Sequence, residues 1–164
     1  MFQGLYCKLM WIVGIGIFMG SAVGTAAELP ADMGGWEKDS AYNQYYNAAE
    51  MDQIRGIVER IMEITPIPGM KPGVGLMVRE GKSEEPISVH LCPSWFAQMG
   101  DIGVRRGEKV KIKGAWAEID GKDVFMASKI RKGDYFDFKV RLTKDGTPFW
   151  TMTPEELARE RNSK

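Results

Sequence analysis

From residue 74 onward, apolar and polar side chains alternate in short runs, the period of two that marks half-buried strands. The runs are Val74 to Arg79, Pro86 to Leu91, Lys109 to Ile119, Asp123 to Arg131 and Tyr135 to Thr143. Gly81, Asp120-Gly121, Gly133 and Asp145-Gly146 separate them in the manner of hairpin turns. Upstream, Met51 to Thr65 satisfies two patterns at once. Ile54, Ile57, Val58, Ile61 and Met62 follow helical spacing, whereas the β-branched content favours a strand. Gly56 weakens the helix by roughly 1 kcal/mol. Pro66, Pro68 and Pro72, with Gly69, Gly73 and Gly75, then impose a loop.

Between the second and third of the alternating runs, Pro93 to Met99 has room for one or two helical turns. A β-rich chain with one short helix between its third and fourth strands has the element order of an OB-type barrel. The fold class expected is therefore all-β: a small OB-type barrel of five to six strands, with that short helix and a second at the C-terminus. The second is announced by Thr153-Pro154-Glu155-Glu156, a capping box with proline at the first helical position.

Alternation also assigns faces. Ile87, Val89 and Leu91 point to the core, which leaves Ser88, His90 and Cys92 outward. Phe136, Phe138, Val140 and Leu142 point inward, with Asp137, Lys139 and Arg141 outward. Val124, Met126 and Ile130 are inward, and Phe125, Lys129 and Arg131 outward. In Lys109 to Ile119 the inward parity switches from Val110 and Ile112 to Ala115, Ala117 and Ile119, which predicts a bulge at Gly114. Lys109, Lys111 and Lys113 with Lys129, Arg131, Lys139 and Arg141 then form an outward basic stripe. Such a stripe attracts an anionic polymer or membrane headgroups, or is simply a solvated face neutralised by Glu108, Asp123, Asp134 and Asp137.

Composition adds an address. Lys8, the apolar run Leu9 to Met19 and the small residues Thr25-Ala26-Ala27 are the three parts of a secretory signal peptide. The uncharged stretch 9–27 also suffices to span a bilayer if it is never cut. Residues 1–27 are thus read as a signal peptide or membrane anchor, and the remainder as exported, periplasmic or held outside the cytoplasm on a single-pass anchor. Residues 28–49 are polar and read as a linker, although Tyr42, Tyr45 and Tyr46 could dock on the domain or a partner. The barrel is expected over 50–152 and a charged helix or tail over 153–164. Basic and acidic residues balance at 22 each, so bulk attraction to nucleic acid is not expected.

Cys7 lies in the leader, so Cys92 is alone in the remaining chain and an intrachain disulfide there is excluded. His90 and Cys92, two residues apart, are potential metal ligands. Zinc wants four ligands and the sequence has one histidine, while Met70, Met77 or Met99 could complete a soft copper site. No cofactor is expected from this, with copper or another metal as the exception to test. One histidine supports no Ser-His-Asp set, no CxxCH haem attachment occurs, and Gly69 to Gly75 lacks the Lys-Ser/Thr of a phosphate loop. An enzyme is not expected.

The segment from about Gly56 to Trp150 resembles small bacterial exported domains of OB type. The resemblance rests on Val89-His90-Leu91-x-Pro93-x-Trp95-Phe96, on Arg106-Gly107-Glu108-Lys109-Val110-x-Ile112-x-Gly114, and on Gly146-x-Pro148-x-Trp150. The family pattern usually has glycine at the place of Cys92. The resemblance implies a ligand- or partner-binding accessory of the cell envelope, without a catalytic set. A fainter likeness is to accessory proteins of magnetosome membranes. The reading is a binding or assembly module that recognises an anionic envelope component or an envelope protein. It would use the face of His90 and Phe125 with the basic stripe. In the alternative, His90 and Cys92 serve a metal- or redox-associated accessory.

Overall fold

The computed structural model describes residues 29–83 and 85–162. The leader expected over 1–27 lies outside them. Among the described residues no helix is long and apolar enough to cross a membrane.

The ambiguous segment is a strand. β1 (Met51–Ile64) runs through the middle of a six-stranded sheet with β2 (Gly73–Arg79), β3 (Ile87–Pro93), β4 (Lys109–Ile119), β5 (Lys122–Lys132) and β6 (Phe136–Lys139). The order is β3-β2-β1-β4-β5-β6, and β3 also pairs with β5. β1 serves two partners in turn: Met51 to Ile57 pairs β4, and Ile57 to Ile64 pairs β2. A register shift between Val58 and Arg60 accompanies the hand-over. Gly56 permits it, because a Cβ there would run into the Arg79 carbonyl. The ring closes through a short parallel pairing, Val89 with Phe125 and His90 with Met126. All other pairings are antiparallel. The result is an all-β, barrel-like fold.

A register shift does fall between Lys113 and Gly114, where a bulge was expected, but the unpaired residue is Ser128 of the facing β5 and not a residue of β4. Cross-strand rows then set the faces. Ile54, Ile112, Ile130 and Phe138 form one row across four strands and point inward, the first three at 2% exposure or less. Val58, Leu76, Val78, Val89 and Leu91 complete the interior, all fully buried.

The segment between β3 and β4 is a series of turns, the first closed by Ala97 N–H donating to the Pro93 carbonyl, in place of the helix expected there. Trp95 stands at its surface; Ala97, Ile102 and Val104 are buried in this connection. At the C-terminus the capping box forms as expected. Thr153 N–H donates to Glu156 Oε2 at 2.9 Å, and Glu156 N–H to Thr153 Oγ1 at 3.3 Å, at the start of α2 (Pro154–Asn162).

Residues 29–50 are not a loose linker but a strap packed on the barrel. Trp36 and Tyr42 are buried to 1% exposure or less. Trp36 lies over Gly73, where a Cβ would strike its ring, and its Nε1 donates to the Lys71 carbonyl at 2.9 Å. The short α1 (Ala41–Gln44) is capped by Ser40 and presents Tyr42 and Asn43 to the barrel.

Candidate functional site

Two constellations carry the chemistry, one on the surface and one beneath the strap. The surface one follows from strand register. Directly opposed residues share a face, so Arg55, Lys111, Arg131 and Asp137 form one outward row, and Gln53, Lys113, Lys129 and Lys139 the next. One row along, Ile57 lies opposite Lys109 on one side and Arg79 on the other. The stripe expected from alternation exists for Lys109, Lys111, Lys113, Lys129, Arg131 and Lys139.

Its neutralisation is uneven. Asp137 accepts from Arg131 Nε at 2.9 Å and pairs with Lys129 Nζ at 2.9 Å. The Arg131 guanidinium, helped by the Lys129 ammonium, holds the Asp137 carboxyl down to about 2. Arg79 pairs with Glu59. Lys109, Lys111 and Lys113 form no ion pair among the described residues.

Where β1 leaves β4 for β2, the backbones diverge and open a cleft of about 460 Å³. Ile57, Gly56 and Val110 line its floor, and Arg55, Arg79, Lys109, Lys111 and Arg131 its walls. No carboxylate is among the lining residues. Arg55 and Ile57 were missed from sequence because Met51 to Thr65 satisfied two periodicities; read as a strand, the same segment puts Arg55 beside Lys111.

The second constellation corrects three expectations. Arg141 does not extend the stripe: beyond the end of β6 it turns inward to 2% exposure. Its Nη2 donates to Asn43 Oδ1 at 2.7 Å, and its guanidinium sits 4.8 Å from the Trp150 ring and 4.9 Å from that of Tyr46. Aromatic faces stand where a carboxylate would be expected. Its Nε has no hydrogen-bond partner among the described residues.

His90 points outward from the barrel, as alternation requires, but the strap covers it; a register shift at Leu91 breaks the alternation, and Cys92 lies opposite the buried Val74. His90 is 7% exposed and Cys92 fully buried. Tyr42 Oη lies 3.4 Å from His90 Nδ1. Burial, reinforced by the nearby Arg141 charge, pushes the His90 imidazole down to about 4. Burial raises the Cys92 thiol to about 12, with Arg141 opposing. Phe125 is also fully buried, with the Trp116 ring edge-on at 5.1 Å and Gly114 leaving room for it. No open face carries His90 and Phe125 together. Among the described residues no group of three or more His, Cys, Asp or Glu is placed to hold a metal ion. Of the methionines considered as soft ligands, Met99 is exposed and Met77 lies opposite Ser88 in register.

A model of the MamS/MamX magnetosome protein family matches residues 50–136. The chain belongs to that family. The matched span begins one residue before β1 and ends at the first residue of β6, so it takes in every residue lining the cleft. Strap residues 29–49, Arg141 and α2 fall outside it. No curated protein and no solved structure matches the chain.

Proposed function

We propose that this member of the MamS/MamX family is a non-catalytic accessory of the magnetosome membrane whose barrel rests on an anionic surface through its basic face. One observation carries the reading: Lys113, Lys129 and Lys139 stand side by side on three adjacent strands, next to the row of Arg55, Lys111 and Arg131. Like charges directly opposed across strands repel. Folding alone does not favour that arrangement, and an external anion relieves it.

The barrel is of OB type in this reading, an assignment supported by closure of the ring through β3 and β5. The domain lies outside the cytoplasm, with residues 1–27 as a leader or, if retained, an anchor. One apolar segment plus a polybasic patch is the two-signal combination that gives stable membrane attachment. Binding without catalysis is supported by the states of the candidate nucleophile and base: near neutral pH the Cys92 thiol stays protonated, and His90 stays neutral beneath the strap. The metal or redox alternative needs a thiolate where burial opposes one, so the basic face is preferred.

The test is flotation with vesicles containing anionic lipid. Lys111→Glu with Lys113→Glu weakens retention by at least tenfold at low salt, each reversal changing the surface attraction by roughly 1 kcal/mol or more. The difference fades near 1 M salt, where the screening length falls to about 3 Å. Equal retention of variant and wild type at low salt would remove the basic face from the function.

A further inference from the structure

We infer that the cleft at the β1 hand-over is a specific site for the phosphate headgroup of an anionic phospholipid, with the adjoining carbons of the lipid on its apolar floor. The inference rests on the membrane-docking reading above and gives it a defined pocket. Three features distinguish the cleft from the rest of the basic face. It is concave, and its volume of about 460 Å³ suits a headgroup rather than a flat polymer contact. Its walls carry five cations and no carboxylate. Its floor includes Ile57, a large apolar side chain 44% exposed in the middle of those cations.

The cations are prepared to different degrees. Arg131 is held in place by two bonds to Asp137, and Arg79 by Glu59 and the Ser83 carbonyl. Asp134 also acts on Arg131 through space. Those two guanidiniums are therefore partly neutralised and serve as fixed walls. Lys109 and Lys111 have no carboxylate partner among the described residues, and the Arg55 guanidinium meets only the neutral Gln53 amide, oriented to accept from it. Glu80 is engaged by the Arg55 backbone N–H at 3.3 Å rather than by its guanidinium. Two ammonium groups and one fork of N–H donors around a single concavity match a phosphate, which offers several acceptor oxygens and takes an arginine bidentately. A free phosphate would leave the exposed Ile57 side chain against water. A phospholipid covers it with its glycerol and first methylenes.

Full-length chain in neutral detergent micelles is titrated with phosphatidylglycerol, with a carboxylate-headed amphiphile of the same chain length, and with inorganic phosphate at matched ionic strength. Bound adducts are counted by native mass spectrometry. Wild type prefers phosphatidylglycerol over the carboxylate amphiphile by tenfold or more. Lys109→Gln with Lys111→Gln erases that preference and weakens phosphatidylglycerol binding about 30-fold. Ile57→Ser keeps every charge and weakens it several-fold. Lys113→Gln with Lys139→Gln, away from the cleft, lowers binding of both amphiphiles in proportion and leaves their ratio intact. Equal binding of the two amphiphiles to wild type overturns the cleft site while leaving the general basic face standing. Displacement of phosphatidylglycerol by inorganic phosphate beyond the effect of matched chloride overturns the lipid assignment. Failure of wild type to take up either amphiphile overturns both readings.

Discussion

At the scale of single residues, the instructive cases are side chains whose sequence neighbours gave them the right direction and the wrong environment. His90 does leave the barrel on its outer side, yet Tyr42, more than forty positions upstream, covers it, and Cys92 is set opposite the buried Val74 by a register shift; no alternation rule reports either. The consequence is measurable. The imidazole is held near 4, well below the value of about 6.5 in an unfolded chain. Between those two pH values the unfolded chain binds a proton that the folded chain refuses, so stability falls as pH falls through the window. At pH 5 the loss amounts to about 2 kcal/mol relative to pH 7.5. Asp137 works in a separate window: its carboxyl is depressed to about 2, so its contribution is present above about 4 and is lost only below that. Urea unfolding of wild type and His90→Gln at pH 7.5 and pH 5 separates the two, since the variant lacks the upper window. A wild-type midpoint that is the same at both pH values would show that His90 titrates freely.

At the scale of elements, turn glycines and alternation made β2 to β5 legible, because each of these strands keeps one face on the interior for most of its length. β1 was not, and its register explains why. Its inward residues change parity at the register shift: Ile54 and Val58 face the interior before it, and Ile61, opposite the buried Leu76, faces it afterwards, while Ile57 is apolar on the outer face. Inward residues spaced four and then three apart, with Ile57 beside them, imitate helical spacing. Ile57 is apolar where the cleft opens, so the residue that blurred the secondary structure belongs to the candidate site. The place of the β4–β5 irregularity was readable from the pattern around Gly114, although the unpaired residue, Ser128, is on the facing strand. Gly114→Val tests how much the bend is worth. A side chain there meets the Met126 carbonyl and Phe125 Cε1, and overpacking of this kind costs about 1–3 kcal/mol. The thermal midpoint drops accordingly. Because the cleft takes only Lys109, Val110 and Lys111 from β4 and Gly114 is not among its lining residues, lipid preference at temperatures where the variant is folded stays unchanged.

At the scale of the whole molecule, the barrel does not stand alone: residues 29–50 return across it and are fastened by groups from three distant parts of the chain. Trp150 Nε1 donates to the Trp36 carbonyl at 2.8 Å, Arg141 donates to Asn43, and Trp36 donates to the Lys71 carbonyl. Trp36 meets Tyr42 and Trp150 edge-on, at ring separations of 4.9 and 5.6 Å. None of this was legible locally. The strap is polar in composition, and what fixes it is tertiary: an arginine without a carboxylate, held by aromatic faces, and a glycine at residue 73 that admits an indole. If the strap is a structural cover for β3, removing its central ring uncovers the thiol beneath. Trp36→Ala loses a fully buried ring, a change that costs about 3–5 kcal/mol, and removes the edge-on partner of Tyr42. Cys92 in wild type reacts with a disulfide reagent only as fast as the strap or the whole domain opens, and its high thiol value slows it further. In the variant the reaction accelerates in native buffer by tenfold or more, while circular dichroism retains the strand signal. Reaction of wild-type Cys92 at the rate of the urea-unfolded chain would show that the strap leaves the barrel surface open in solution. Acceleration that appears only together with loss of the strand signal would mean that strap and barrel unfold as one unit.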